Sequence, residues 1–385
     1  MLRYLKPNAQ IASNRTPRRI NRDLLFNLVR TRHPISRADL ARISGLQRST
    51  VSAIVEDLIA NRWIVEGSTG RLPRGRHPIF LELNSHRAVV ALDIHPAQIA
   101  VGVSDLGGNF VAQSIIALPR DANKVFSAIV SGIRKIIRDH KDRSFVGVGI
   151  CFPGRTNLQL QELNFAPNIK WADAKFKSHI ERSLGLKVAM DNVANACALS
   201  EVWFNGKQGN HDLVVVNVSE GIGTGIFANG RLLRGDNGMA GEFGHVVLDR
   251  PGLPCSCGLR GCWETLASNR AALRYYHELS PRSTARSFDA LLKRAEQGER
   301  EAVAALTRVS VELGRGMKMI ASVLAPQEII VVGAITSFWP TVGPVIEAEM
   351  RKDYALKVPA LHPSYNGSDA RLRSAVALIL NEGLV

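Results

Sequence analysis

Apolar positions recur at helical spacing from Arg18, where Ile20, Leu24, Leu25, Leu28 and Val29 form one stripe. The pattern stops at the His33–Pro34 step, because a residue before proline disfavours helical backbone. A second, short helix is expected next, with Ser36 as its N-cap, Leu40 and Ile43 facing inward and Gly45 supplying a tight turn at its end. The third helix, from about Arg48 to Asn61, buries Val51, Ile54, Val55 and Leu58 and leaves Arg48, Ser49, Thr50 and Ser52 at its exposed N-terminal end. Trp63–Glu66 and Ile79–Leu83 alternate as two strands around the glycine- and arginine-rich GSTGRLPRGRH. Three helices followed by a hairpin make a winged helix-turn-helix over residues 18–86, behind a polar arm of residues 1–17. An ordinary helical hairpin of an enzyme shares the local pattern.

Beyond His86 the texture changes to alternating α and β signals. Ala88–Ile94, Gln98–Ser104 and Asn109–Leu118 read as a three-stranded meander, Ala122–Asp139 as an amphipathic helix and Phe145–Cys151 as a buried strand. Leu213–Val218 and Ile222–Ala228 form a second hairpin-like pair, and a long helix from Glu299 to Leu324 is stopped by Pro326. Glu328–Val332 is another buried strand, with helical segments at about Ser337–Arg351 and Asp369–Leu380 after it. This order predicts a two-lobed α/β body, residues 87–385, with a cleft.

Charge separates the two parts. Residues 1–87 carry 16 of the 49 basic side chains but only 6 of the 34 acidic ones, so the surplus concentrates on the small N-terminal module. A compact basic module on a near-neutral body points to nucleic acid or an anionic membrane surface, or to a solvated basic face. The helix pattern beneath it favours DNA. No apolar run approaches the roughly 20 residues that span a bilayer, and the N-terminus lacks a signal-peptide core, so a cytoplasmic protein is expected. Of five cysteines, Cys255, Cys257 and Cys262 cluster while Cys151 and Cys197 stand alone in apolar surroundings, which fits metal ligation better than a disulfide framework.

The most specific chemistry is Gly244–His245 followed by CSCGLRGCWE at Cys255–Glu264. His245, Cys255, Cys257 and Cys262 supply the three sulfurs and one nitrogen that tetrahedral zinc favours, and Gly258 and Gly261 let the chain wrap the ion. Four protein ligands leave no open position, so the zinc is expected to be structural, one per chain. GEFGH at Gly241–His245 together with this cysteine run resembles the signature of the ROK family (repressor, open reading frame, kinase), over a body from about Ala88 to the C-terminus. With the N-terminal module in front, the chain is similar to the repressor branch, of the NagC, XylR and Mlc type.

That resemblance implies an actin-like, hexokinase-type (ribonuclease-H-like) fold, with lobe 1 at about 87–205 plus 366–385 and lobe 2 at about 206–365. It also implies a sugar in the cleft and a homodimer or homotetramer acting on a palindromic operator. GVGICFPGR places Gly154 and Arg155 against the sugar, FAPNIKW places Asn168, DNVANACALSE places Asn192, and Glu242, His245 and Glu264 complete the contacts. Asn and ionised Glu suit hydroxyls that both donate and accept. A kinase of this family needs an aspartate base directly after the sugar-contacting asparagine, and here that position is Val193. The first phosphate loop reads Asp93-Ile94-His95-Pro96-Ala97-Gln98, the second carries Glu220, and Gly333-Ala334 stands where two glycines are usual, so ATP-dependent catalysis is expected to be lost.

The resulting expectation is a sugar-responsive repressor of carbohydrate genes, with an active sugar kinase and a ligand-independent DNA binder as the alternatives. Gln47, Arg48, Ser49, Thr50 and Ser52 are expected near base edges or phosphates in the major groove. Arg74 and Arg76, in Pro73-Arg74-Gly75-Arg76-His77-Pro78, suit either a narrow minor groove or a solvated wing tip.

Overall fold

The computed structural model describes residues 15–70, 77–96, 98–157, 162–165, 169, 171, 173–205, 211–353, 357–365 and 367–382. The N-terminal module contains α1 (Arg15–Thr31), β1 (Ile35–Ser36), α2 (Arg37–Ser44), α3 (Arg48–Ala60), β2 (Ile64–Thr69) and β3 (Ile79–Leu83). Ser36 caps α2 by accepting from the Asp39 amide while the Asp39 carboxylate accepts in return from the Ser36 amide, and Gly45, with φ of 72°, closes the helix. Around this framework Leu25, Phe26, Val29, Leu40, Val51, Val55, Leu58 and Leu81 form a dry core.

Several expectations are corrected here. Helix α1 already begins at Arg15, so Arg15–Pro17 belong to its first turn, where a proline lacks no needed hydrogen bond; residues 1–14 of the expected arm lie outside the described residues. Ile20 and Ile43 are 60% and 38% exposed rather than inward, because each sits at the edge of its helix's apolar stripe and the module is too small to cover it. The first hairpin strand runs Ile64–Thr69, and Trp63 is instead buried against Phe26, edge to face. The sheet also has a third strand: β1 pairs with β3, Ile35 opposite Leu81, giving the order β1-β3-β2. Residues 71–76, with Arg74 and Arg76, lie outside the described residues.

The body opens with a meander, β4 (Arg87–Ile94), β5 (Gln98–Asp105) and β6 (Phe110–Ala117), followed by α4 (Ala122–Asp139) and β7 (Ser144–Phe152). A small hairpin, β8 (Arg155–Asn157) and β9 (Glu162–Phe165), precedes α5 (Phe176–Leu184), β10 (Val188–Asn192) and α6 (Val193–Phe204). A second meander is β11 (Leu213–Val218), β12 (Ile222–Ala228) and β13 (Arg231–Leu233). Helices α7 (Trp263–Ala267), α8 (Asn269–Leu279), α9 (Phe288–Glu296) and α10 (Arg300–Leu324) come next. The chain then runs through β14 (Glu328–Val332), α11 (Trp339–Arg351), β15 (Ala360–Pro363) and α12 (Ala370–Glu382).

Two five-stranded sheets result, β10-β7-β4-β5-β6 and β13-β12-β11-β14-β15. Both are built alike: an antiparallel meander first, then two strands added in parallel beside the meander's first strand. Parallel additions need crossovers, which α4, α5 and the α7–α11 helices provide. The last strand of each lobe leads into a helix that packs on the other half: α6 lies against β11 and β12, and α12 against β4 and β7. Contact is close enough that a Cβ on Gly149 would stand 1.8 Å from the Ala375 carbonyl oxygen, and one on Gly225 2.1 Å from that of Ala194. The cleft opens where these crossed helices begin. No helix among the described residues is long and apolar enough to cross a membrane.

Candidate functional site

Strand β10 delivers Asp191 and Asn192 to the cleft, and the Asn192 side chain caps α6 by accepting from the Ala194 amide at 2.8 Å. Its amide nitrogen donates to the Gly154 carbonyl at 2.8 Å, which fixes the loop after β7 against the helix. Asp191, 2% exposed, accepts from Arg234, Thr156, Asn195 and the Asn192 main-chain amide. Its carboxylate is thus fully used within the protein. Val193 is buried at the start of α6.

Opposite stands a glycine-rich turn. Gly241, with φ of 85°, sits so near β12 that a Cβ would meet the Thr224 carbonyl oxygen at 2.4 Å, so this close approach requires glycine. A short 3₁₀ turn, Glu242–His245, follows it. Gly154, Asn192, Glu242, His245 and Glu264 share one cavity of about 170 Å³. Of the other residues expected at a sugar, Asn168 lies outside the described residues, and Arg155 is placed only as the first residue of β8. Residues beyond the expected set also line the cavity, among them His95, Asn195, Asn217, Ser219 and Arg371. Asn217 left a signal in the sequence, as the one polar residue in the buried strand LVVVNV; Arg371, on the last helix, left none.

The metal cluster borders the same cavity. One ligand atom from each of His245, Cys255, Cys257 and Cys262 lies within 4.8 Å of all the others. Cys255 Sγ is 3.5 Å from His245 Nδ1, and Cys257 Sγ is 3.6 Å from Cys262 Sγ. A tetrahedral ion with metal–sulfur bonds of about 2.3 Å and metal–nitrogen bonds of about 2.1 Å separates its ligands by about 3.6–3.8 Å. These two spacings match that geometry, and all four ligand atoms lie close enough to converge on one ion. Glu264 Oε1 lies 2.9 Å from Cys255 Sγ, and the other His245 nitrogen, Nε2, faces Glu242 at 3.5 Å, so both cavity carboxylates border the cluster.

At the cleft floor Asp93 accepts from Arg371 at 2.9 Å and from His95 at 2.8 Å. Burial would push the Asp93 carboxyl up, but the Arg371 guanidinium and then His95 outweigh it and hold it below its ordinary value. Behind this pair, burial raises the Cys151 thiol and pushes that of Cys197 up to about 12, so both are inert apolar filling.

In the N-terminal module, Gln47, Arg48 and Ser49 are exposed and Thr50 and Ser52 half-buried at the start of α3. Gln47 makes no side-chain capping bond, so the first amides of α3 are not claimed by a cap. The module is seated on the body through Arg30 of α1, whose guanidinium stacks over Trp203 at 5.6 Å and Phe204 at 5.2 Å at the end of α6. Burial, and then the nearby Arg373, push the Arg30 guanidinium down to about 10.

A two-lobed body of paired, topologically equivalent sheets, with a polar cleft bordered by a His–Cys cluster that could hold a metal ion, defines an actin-like sugar-kinase type of fold. The ROK family model matches residues 89–381, and the chain belongs to the ROK family. It is 31% identical over 336 residues to the xylose repressor of Bacillus subtilis (strain 168), covering 86% of each chain. It is also 32% identical over 281 residues to the glucokinase of Streptomyces coelicolor, covering 69% of this chain and 86% of the enzyme. A crystal structure of a ROK family transcriptional regulator, described as a homologue of the Escherichia coli MLC protein, superposes with a TM-score of 0.79 at 23% identity and covers 96% of this chain and 98% of that one.

Proposed function

We propose that the protein is a sugar-responsive transcriptional repressor of carbohydrate genes, whose body senses the sugar and whose winged helix-turn-helix, residues 18–86, binds DNA. The observation that carries this reading is the union of two parts in one chain. A basic helical module presents Arg48 at an uncapped helix start, and it docks at the end of α6 away from a cleft whose polar groups suit hydroxyls while Val193 occupies the base position. An uncapped N-terminus with Arg48, Ser49 and Thr50 suits phosphates and base edges, with Gln47 and Ser52 beside them. Arg74 and Arg76 extend the contact into the minor groove.

In the body, Gly154, Arg155, Asn168, Asn192, Glu242, His245 and Glu264 bind the sugar. The ion is a structural zinc, held by His245, Cys255, Cys257 and Cys262, and the chemistry it supplies is cross-linking of the loop that carries Glu242 and Glu264. The xylose repressor similarity supports the regulator, and its alignment is longer than the stretch matched by the ROK family model alone. The protein works as a cytoplasmic homodimer or homotetramer on a palindromic operator, the sugar shifting it between DNA-matched and unmatched arrangements.

Fluorescence anisotropy with labelled DNA from upstream of the gene, titrated with xylose, glucose, N-acetylglucosamine, N-acetylmannosamine and their phosphates, tests this. Binding that one of these sugars changes at least ten-fold supports it, and an unchanged titration with every sugar rejects the sensor. The glucokinase similarity favours a second reading, an ATP-dependent sugar kinase. Release of ADP with any hexose, abolished in Glu242→Gln, would establish that reading instead.

A further inference from the structure

The sugar cavity is not closed on all sides. Beside it lies a second, larger cavity of about 470 Å³, and the two share His95, Ser219, Glu220 and Arg371 as a common wall. Three buried polar atoms around that wall have no hydrogen-bond partner among the described residues: Asn217 Oδ1, Asn269 Oδ1 and Arg371 Nε. Asn217 lines the first cavity, Asn269 the second and Arg371 both. Asn217 is only 2% exposed, and among the described residues its side chain makes one long hydrogen bond, 3.5 Å from Nδ2 to the Ser219 hydroxyl. The Asn269 main-chain amide donates to the Ser219 carbonyl at 2.8 Å, so both asparagines contact the same residue. Buried groups left without partners destabilise the free protein, and their convergence on one wall marks a place where a ligand supplies the missing bonds.

The character of the second cavity narrows the ligand. Its charged lining is balanced, with Arg270, Arg286 and Arg371 against Asp93, Glu220 and Asp289. Helices α8 and α9 both start there, each with one first-turn amide taken by a capping serine, Ser268 accepting from Ala271 and Ser287 from Ala290. A phosphate site needs surplus positive charge, and this lining is balanced, with Glu220 on the shared wall. Leu273, Phe288 and Val332 add an apolar side of the kind that covers the C–H face of a sugar ring.

We infer that the cleft is built for two linked, uncharged sugar residues, the first beside Glu242 and Glu264 and the second in the Leu273–Phe288 cavity, with the linkage crossing Ser219. The inference rests on the sugar-sensor reading and specifies its effector class, a disaccharide or longer glycoside. Hydroxyls donate to the amide oxygens of Asn217 and Asn269 and accept from Arg371 Nε.

Isothermal titration of the full-length protein with matched pairs, xylose and xylobiose, glucose and cellobiose, glucose and maltose, tests it. One disaccharide is expected to bind at least ten-fold tighter than its monosaccharide. Asn269→Ala should remove that gain while leaving monosaccharide binding within two-fold. Asn217→Leu, which replaces an unsatisfied polar group by an apolar one of similar size, should weaken the disaccharide ten-fold without lowering the melting temperature of the free protein, an outcome a purely structural asparagine would not give. Monosaccharide binding with no gain for any disaccharide, a gain that survives both variants, or tighter binding of glucose 6-phosphate than of every disaccharide overturns the two-ring cleft and leaves the sensor intact. No binding by any of these sugars overturns both.

Discussion

Asp93, 4% exposed between Arg371 and His95, is where single residues decide most in this fold. Because its carboxyl is held below the ordinary value near 3.9, its stabilising contribution is present above that pH and is lost as pH falls through the lower folded value. Arg371→Met leaves the charge buried without its main partner and should lower unfolding free energy at pH 7 by about 3 kcal/mol in urea denaturation. The double variant with Asp93→Asn should recover most of that loss; equal loss in both would show that the ion pair is not what matters. The pair also marks a limit of sequence reading. Gly154, Asn192, Glu242, His245 and Glu264 sit in motifs marked by the resemblance to the ROK family, whereas 278 residues separate Arg371 from Asp93 and only the crossed packing of α12 brings them together.

At the level of elements, legibility followed periodicity. Helix α4, the first meander and the β11–β12 pair have strong patterns and were readable nearly to the residue, whereas β13 is three residues long and was not. Helix α6 was not, because VANACALSEVWF is buried almost throughout and has no polar face to set a period. Strand β1 is two residues long, too short for any pattern. Where capping chemistry is explicit the sequence was clear, as at Ser36, and the cap can be tested. Ser36→Ala removes one half of the capping box and should cost about 1 kcal/mol by thermal or urea unfolding. A loss confined to the noise would mean that β1 pairing alone positions α2. The metal loop permits a second test. Elemental analysis should find one zinc per chain, and chelation should lower the melting temperature and expose Cys255 and Cys262 to thiol reagents; unchanged thiol reactivity would separate the loop's order from the ion.

For the molecule as a whole, the notable fact is continuity. Leu25, Phe26 and Val29 of the N-terminal module and Trp203, Leu372 and Ala375 of the body belong to one hydrophobic core. The connecting segment is also held, since Arg87 donates to the Asn61 carbonyl at 3.0 Å and stacks on Trp63 at 4.9 Å. Arg30 is the centre of the docking, and its guanidinium is matched by aromatic rings and Asn27. Arg30→Ala should therefore split thermal unfolding into two transitions and speed proteolysis near Asn84. A single transition at the original temperature would assign the docking to the linker instead. None of this inter-module packing could be read from the sequence, because each partner's apolar surface is equally well explained within its own module.

On the proposed reading, such a joint makes α3 one jaw of a caliper. For two copies gripping two-fold-symmetric DNA, the gap between the α3 helices is set by the bodies and not by slack in a tether. Lengthening the spacer between half-sites by one full turn, about 10 base pairs, restores the facing of the grooves and satisfies a reader on a flexible leash. A rigid gauge should reject it as firmly as an insertion of about 5 base pairs.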